Sequence, residues 1–201
     1  MAEEMNMQKA KEVFGTLTKM LDTRDWKYEK HEDKLLIKSG VKGDDLPVEF
    51  IVVVNPRNEV VQFISAMPFN MPEDKRVDGA IAVCAANYGL VDGSFDYDLR
   101  DGEIRFRLTS SYRESTLSED LFEYMIMVSA STVDQYNDKF FMIAKGMMTI
   151  QQYTIKKTIF TIIIDIVGML VVLFLFLLFF ALIQQLINFL YVLYTEFSLR
   201  L

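Results

Sequence analysis

The stretch SFDYDLRDGEIRFRL, residues 94–108, decides the fold, because it combines seven charged residues with the turn signal Asp101-Gly102. A two-residue turn there pairs opposite charges on one face: Arg100–Glu103, Asp98–Arg105 and Asp96–Arg107. The other face is apolar: Leu99–Ile104, Tyr97–Phe106 and Phe95–Leu108. Each such pair contributes about 0.2–1 kcal/mol, and a one-residue slip would misplace both sets. The stretch predicts a β-hairpin and assigns its acids to strand pairing, not to a metal or catalytic site.

The segments on either side of the hairpin predict further helices and strands. An apolar stripe from Ala10 to Leu21 indicates a helix over 3–22. KLLIKSG, LPVEFIVVV and EVVQFISAM indicate strands, NPRN a turn, and MPEDKRVDGAIAVCAANYGL a second helix. A third helix begins near TLSEDLFEY, capped by Thr116 or Ser118, and Gly146 is its expected break. The predicted class is α+β, an antiparallel sheet of about five strands with flanking helices in the order α-β-β-β-α-β-β-α.

The C-terminal part has a different composition. Residues 166–183 contain no charge, and fifteen of them are Leu, Ile, Val or Phe, which together favour insertion into a bilayer by roughly 5–9 kcal/mol. Lys156 and Lys157 precede this segment, whereas only Arg200 follows it. The positive-inside bias predicts a single-pass C-terminal anchor with the N-terminal domain in the cytoplasm. Lys156, Lys157 and Asp165 are then expected at the membrane interface.

Residues 184–201 have the pattern of an amphipathic helix, and two arrangements remain open. In the first, the helix lies on the far leaflet, with Tyr191 and Tyr194 at the interface. In the second, it continues the spanning helix and associates with further copies. The amides that could form contacts between copies are Gln184, Gln185 and Asn188. The predicted organisation is a domain over 1–150, a juxtamembrane and spanning segment over 151–183, and a terminal helix over 184–201.

The remaining candidates for chemistry are few. The chain has 201 residues and a net charge of −7, which argues against a nucleic-acid partner. A single histidine, His31, lies in a charged stretch and is expected at the surface. Cys84 is the single cysteine and is expected to be a small core residue. No residue pattern predicts an enzyme, a cofactor or a metal.

The order of elements, together with DWKY and NYGLVDGSFDYDLRDGEIRFRL, resembles the bacterial YbjN-like proteins, also called sensory transduction regulators. The resemblance covers roughly residues 8–148 and is carried by structure-forming positions: Asn87, Gly89, Gly93, Phe95, Asp98, Gly102, Ile104 and Arg107. It implies the fold of type III secretion chaperones, often dimeric, and a binding or regulatory module. The hydrophobic tail departs from the family pattern.

Two functions follow as expectations. The first is a membrane-anchored, non-enzymatic module, chaperone-like or regulatory, that binds a protein or peptide at the cytoplasmic face of a bacterial inner membrane. The second is a subunit of a homo-oligomeric, pore-like membrane assembly built by the C-terminal helices. The expected partners are the lipid bilayer, an unidentified protein, and further copies of the chain as a dimer or larger assembly.

Overall fold

The structure is a computed structural model that describes residues 2–154 together with residues 169–170, 174, 176, 178–180 and 182–184. Its contacts divide the chain into two units, Met1–Tyr153 and Thr154–Leu201. The predicted division into three segments is a different partition and stays a prediction.

The first unit contains three helices and six strands in an α+β arrangement, which confirms the predicted class. In chain order the elements are α1 (Ala2–Thr23), β1 (Tyr28–His31), β2 (Leu36–Val41), β3 (Val48–Asn55), β4 (Val60–Asn70), α2 (Arg76–Asn87), β5 (Ser94–Tyr97), β6 (Glu103–Ser111) and α3 (Glu119–Ala144). Short 3₁₀ turns occupy Glu32–Lys34 and Glu73–Lys75. The sheet has the order β1-β2-β3-β4-β6-β5, and every neighbouring pair is antiparallel.

The sixth strand, β1, is the one that the sequence pattern missed. Its four residues, Tyr28 to His31, carry no apolar alternation, and both central side chains are exposed. It is an edge strand that pairs with β2 alone. Edge strands are often short and charged because this discourages pairing with other chains, and the same features remove the usual strand signal.

The core lies between one face of the sheet and the helices. Along β3 the side chains of Val48, Phe50, Val52 and Val54 are buried and alternate with more exposed ones. The apolar stripe of α1 packs into the same cluster, as predicted. A chain of aromatic rings crosses the sheet from Phe50 through Phe63, Phe106 and Phe95 to Phe140, with centroids 4.7–6.5 Å apart. This cluster holds α3 against the sheet.

The hairpin of β5 and β6 forms, but its predicted register was wrong by two residues. The observed pairs are Ser94–Arg107, Phe95–Phe106, Asp96–Arg105 and Tyr97–Ile104. The loop holds four residues, 99–102, because the Asp98 carboxylate accepts the Arg100 N–H and the Asp101 carboxylate accepts the Glu103 N–H. A shift of two keeps each strand side chain on its predicted face, whereas Leu99 and Arg100 lie in the loop, where Leu99 is 64% exposed.

The end of α3 has a defined geometry. Of the two predicted caps, Ser118 is the one that forms, and its side chain accepts the Leu121 N–H. At its end Gly146 has φ +68°, and the Met147 N–H donates to the Met142 carbonyl while the Gly146 N–H donates to the Ile143 carbonyl. Those two bonds form a Schellman motif, so Gly146 ends the helix as predicted. A capping box follows, in which Thr149 and Gln152 each accept the other's backbone N–H.

Half of the predicted membrane-spanning segment, 166–183, lies outside the described residues. Its described residues are helical and their side chains are exposed. Among the described residues, no helix is both long enough and apolar enough to cross a membrane.

Candidate protein-binding surfaces

Helix α2 has a buried face made of small residues, and this face fixes which side of the helix points outward. Gly79, Ala82, Val83 and Ala86 are buried. A Cβ on Gly79 would lie 2.7 Å from the Met71 side chain and 2.8 Å from the Tyr97 hydroxyl, so only glycine allows this close approach. The Tyr97 hydroxyl also donates to the Arg76 carbonyl at 2.9 Å. The helix is therefore held tightly along one side.

The outward side of α2, the turn that follows it and the adjoining part of α3 expose apolar side chains, most of them large. We name this set the α2–α3 surface: Val77, Ile81, Cys84, Tyr88, Val91, Tyr124 and Met127. The α2 members recur at the spacing of one helical face. The Tyr124 hydroxyl bonds to the Asp92 carboxylate, which ties the loop after α2 to α3. Tyr88 is 93% exposed and Val91 is 97% exposed. Apolar side chains grouped in this way are typical of a protein or membrane contact.

Cys84 belongs to this exposed face, so the prediction that it is a small core residue was wrong. The sequence of α2 is apolar or small nearly all round, and its periodicity therefore does not distinguish the buried face from the exposed one. The spacing of Val77, Ile81, Cys84 and Tyr88 was visible in the sequence, but only the position of Gly79 against Tyr97 shows that it points away from the core.

The edge of the sheet at β5 is closed by a side chain. The Asn87 amide oxygen accepts the Phe95 N–H at 2.8 Å, and its NH₂ group donates to the Phe95 carbonyl at 2.9 Å. Asn87 therefore occupies the position that a neighbouring strand would take at Phe95. These two backbone groups of Phe95 are therefore not available to a further strand.

The charged residues of the hairpin form ion pairs on the open face. Arg107 donates to both oxygens of the Asp96 carboxylate at 2.9 and 3.0 Å, and Arg105 adds a bond of 3.3 Å. The hydrogen bond from Arg107 lowers the pKa of Asp96, although partial burial opposes the shift. Arg100 likewise lowers the pKa of Asp98 to about 2. The predicted Asp96–Arg107 pair therefore forms across the two strands. The predictions for Asp98 and Arg100 were wrong in their partners, because these two residues pair with each other and Arg105 pairs with Asp96.

No group of three or more His, Cys, Asp or Glu side chains in the described part of the chain is placed to hold a metal ion. His31 is partly exposed, and its Nε2 lies 2.9 Å from the Glu29 carboxylate.

A groove lies at the other end of the sheet, between α1 and the chain that links β1 to β2. Its volume is about 790 Å³. Its lining includes Phe14 and Gly15 of α1, Lys30 of β1, and Leu35 and Pro56. We name it the α1 groove.

Most of the residues predicted to contact membrane or further copies lie outside the described residues: Lys156, Lys157, Asp165, Gln185, Asn188, Tyr191 and Tyr194. Gln184 is described, as an exposed helical residue. These assignments stay predictions.

Comparison with known proteins identifies the class first. Residues 15–142 match the family model YbjN, described as "Putative bacterial sensory transduction regulator". The match covers more than half of the chain, and the chain therefore belongs to the YbjN family. A search of curated proteins gives no match.

Three solved structures are similar to the chain. One is "YbjN, a putative transcription regulator from E. coli", with 12% identity, a TM-score of 0.48, and coverage of 60% of this chain and 85% of that one. Another is the ExsC-ExsE complex, with 11% identity, a TM-score of 0.46, and coverage of 63% and 92%. A third is the HopA1-SchA chaperone-effector complex, with 10% identity, a TM-score of 0.43, and coverage of 66% and 97%.

Proposed function

We propose that the chain is a non-enzymatic, chaperone-like or regulatory module that binds a partner protein through its α2–α3 surface. The observation that carries the proposal is the exposure of this surface, where Tyr88 and Val91 are almost fully accessible although α2 is firmly packed on its other side. Burying one such large side chain in an interface contributes about 1.5–3 kcal/mol, so a few central ones can dominate binding. Membership of the YbjN family is consistent with this role.

The second part of the proposal concerns location. The uncharged segment 166–183, with Lys156 and Lys157 before it, supports a C-terminal anchor in a bacterial inner membrane and an N-terminal domain on the cytoplasmic side. Anchoring would raise the effective concentration of the domain near membrane partners. Protease protection tests this part: an external protease should digest the domain in inverted membrane vesicles and leave it intact in spheroplasts, and the reverse pattern would contradict it.

The binding experiment compares three forms of the full-length chain after capture from solubilised bacterial membranes. The native chain should retain one partner at a fixed ratio. Ile81→Asp should lose it, because a carboxylate in the centre of the surface would be buried without a counter-charge. The matched control is Thr109→Asp, which places the same charge at an exposed position of the sheet. Equal retention by Ile81→Asp and the native chain would refute the proposed surface.

A second candidate function is an assembly of several copies built by the C-terminal helices. The observation that favours it is the amide group Gln184, Gln185 and Asn188 directly after an apolar segment, since amides can hydrogen-bond between helices in lipid. The particle mass in detergent distinguishes the two. A symmetric ring of many copies supports the assembly, and a monomer or dimer supports the binding module.

A further inference from the structure

The α1 groove contains a helical glycine that the packing of the domain does not explain. Gly15 lies inside the 22-residue helix α1, where glycine costs about 0.5–1 kcal/mol relative to alanine. A Cβ built on Gly15 would meet nothing within 4 Å. By contrast, the Cβ of Gly79 would meet Met71 and Tyr97. The domain could therefore accept a side chain at position 15, and the glycine keeps open the space above it.

The floor beside Gly15 is apolar and well buried. Phe14 and Leu35 line the groove and are 3% and 5% exposed. Leu35 has φ +47°, a left-handed conformation that costs a leucine about 1–2 kcal/mol. The Lys30 ammonium lies 5.7 Å from the centre of the Phe14 ring. Such a floor suits an inserted apolar side chain, and a volume of about 790 Å³ lies within the range of about 300–1,000 Å³ typical of ligand sites.

The rim of the groove is more basic than the chain as a whole. Its charged lining residues are Lys11, Lys30, Lys34, Glu32 and Asp33, a net charge of +1, whereas the chain has −7. Lys30 is paired with Glu32 at 2.7 Å. Among the described residues, no acidic group or carbonyl pairs with the ammonium groups of Lys11 and Lys34, which leaves two cations for a ligand. An acidic ligand therefore matches the rim. The carboxylate of the exposed Asp33 would repel further acidic groups, which limits how many carboxylates such a ligand can carry.

We propose that the α1 groove binds an acidic segment of a partner protein, with one apolar side chain seated over Gly15 and neighbouring carboxylates paired with Lys11 and Lys34. This is a second site, distinct from the α2–α3 surface. The glycine allows the segment to approach the helix closely, Phe14 and Leu35 contact its apolar side chain, and the lysines select its charge.

Random short peptides displayed on phage and selected on the full-length native chain provide the ligand for the test. The native selection is compared with Gly15→Leu, whose Cβ would meet nothing within 4 Å and whose larger side chain would occupy the open space. Gly15→Ala is the matched control. Like Gly15→Leu it replaces glycine with a better helix former, but it adds only a methyl group. Thermal unfolding establishes that all three forms are folded, and Gly15→Ala should unfold at a slightly higher temperature than the native chain.

The expected peptides carry an apolar residue beside Asp or Glu. Their affinity should be about the same for the native chain and Gly15→Ala, and about tenfold or more lower for Gly15→Leu. Lys11→Gln combined with Lys34→Gln should weaken acidic peptides but not a variant peptide with Asn and Gln in place of the acids.

Three results would overturn the inference. The first is a set of selected peptides that bind Gly15→Leu as tightly as the native chain, and the second is a selection that yields basic peptides or none. The third is saturable binding of oleate at the groove by a chain that selects no peptide, since the ligand would then be a fatty acid and not a protein segment. Ile81→Asp should leave peptide binding unchanged. The peptide experiment can therefore contradict the α1 groove without contradicting the proposed role of the α2–α3 surface, and the reverse also holds.

Discussion

Replacing Asn87 with alanine should destabilise the domain more than any other substitution of a polar side chain on α2. Asn87 makes both of its hydrogen bonds with the backbone of Phe95, whose residue exposure is 3%. Alanine leaves one donor and one acceptor without a partner, and each unsatisfied buried group costs about 1–3 kcal/mol. Water can reach part of an edge strand, so we expect a total loss of about 2–4 kcal/mol, a large share of the roughly 5–15 kcal/mol typical of a domain.

Urea unfolding of the full-length chain, followed by the fluorescence of its single tryptophan, measures this loss. Trp26 is a suitable reporter because its indole N–H donates to the Ser39 hydroxyl at 2.8 Å in the folded state. Asn58→Ala is the control, since Asn58 is an exposed turn residue and its replacement should change stability by about 0.5 kcal/mol or less. If Asn87→Ala costs no more than Asn58→Ala, the explanation of Asn87 as the closure of the β5 edge is wrong.

Three further predictions concern caps and a carboxylate. Ser118→Ala should cost about 1 kcal/mol in urea unfolding, because the Leu121 N–H loses its cap; an unchanged midpoint would contradict the capping role. Gly146→Ala should also cost about 1 kcal/mol, solely through its left-handed φ of +68°, since its Cβ would meet no atom within 4 Å; a stabilised variant would contradict this. The Asp98 carboxylate should titrate by NMR with a pKa of about 2 and return towards its ordinary value in Arg100→Ala. Since folding lowers this pKa, the contribution of Asp98 to stability is present above its ordinary pKa and is lost as the pH falls towards 2; an unshifted carboxylate in the native chain would refute the assignment.

Much of the fold was predictable because local signals and the core agree. The stripe from Ala10 to Leu21 identifies the buried face of α1, and the alternation in β3 identifies that of the sheet. Ser118 and Gly146 mark the two ends of α3 through the backbone chemistry of caps. These features depend on residues close together in the chain, which is what a sequence pattern records.

The parts that were not predictable depend on contacts between distant residues or on competition between local bonds. The hairpin register depends on the Asp98 and Asp101 carboxylates, whose bonds to nearby N–H groups favour a four-residue loop over the two-residue turn. The strand β1 is defined only by its pairing with β2. The exposure of Cys84 follows from which face of α2 meets Met71 and Tyr97, a choice that its own nearly uniform sequence does not record.

The candidate sites show the same division. The resemblance to the YbjN family included Asn87 and Phe95 among its specific positions, and their paired hydrogen bonds now give the physical reason. The sequence did not predict the α1 groove because its lining combines residues of α1 with the segment from Lys30 to Leu35. Gly15 is the one residue in the sequence that points to it, and a glycine inside a predicted helix also has the simpler interpretation of a position with low helix propensity.

The most direct test of the central claim is where a partner touches the chain in living bacteria. A photo-crosslinking amino acid is introduced at position 88, in the α2–α3 surface, and in a separate form at position 109 on the sheet. We predict one discrete adduct from position 88, none from position 109, and loss of the adduct when Ile81→Asp is added. No adduct from position 88, or the same adducts from both positions, would contradict the account.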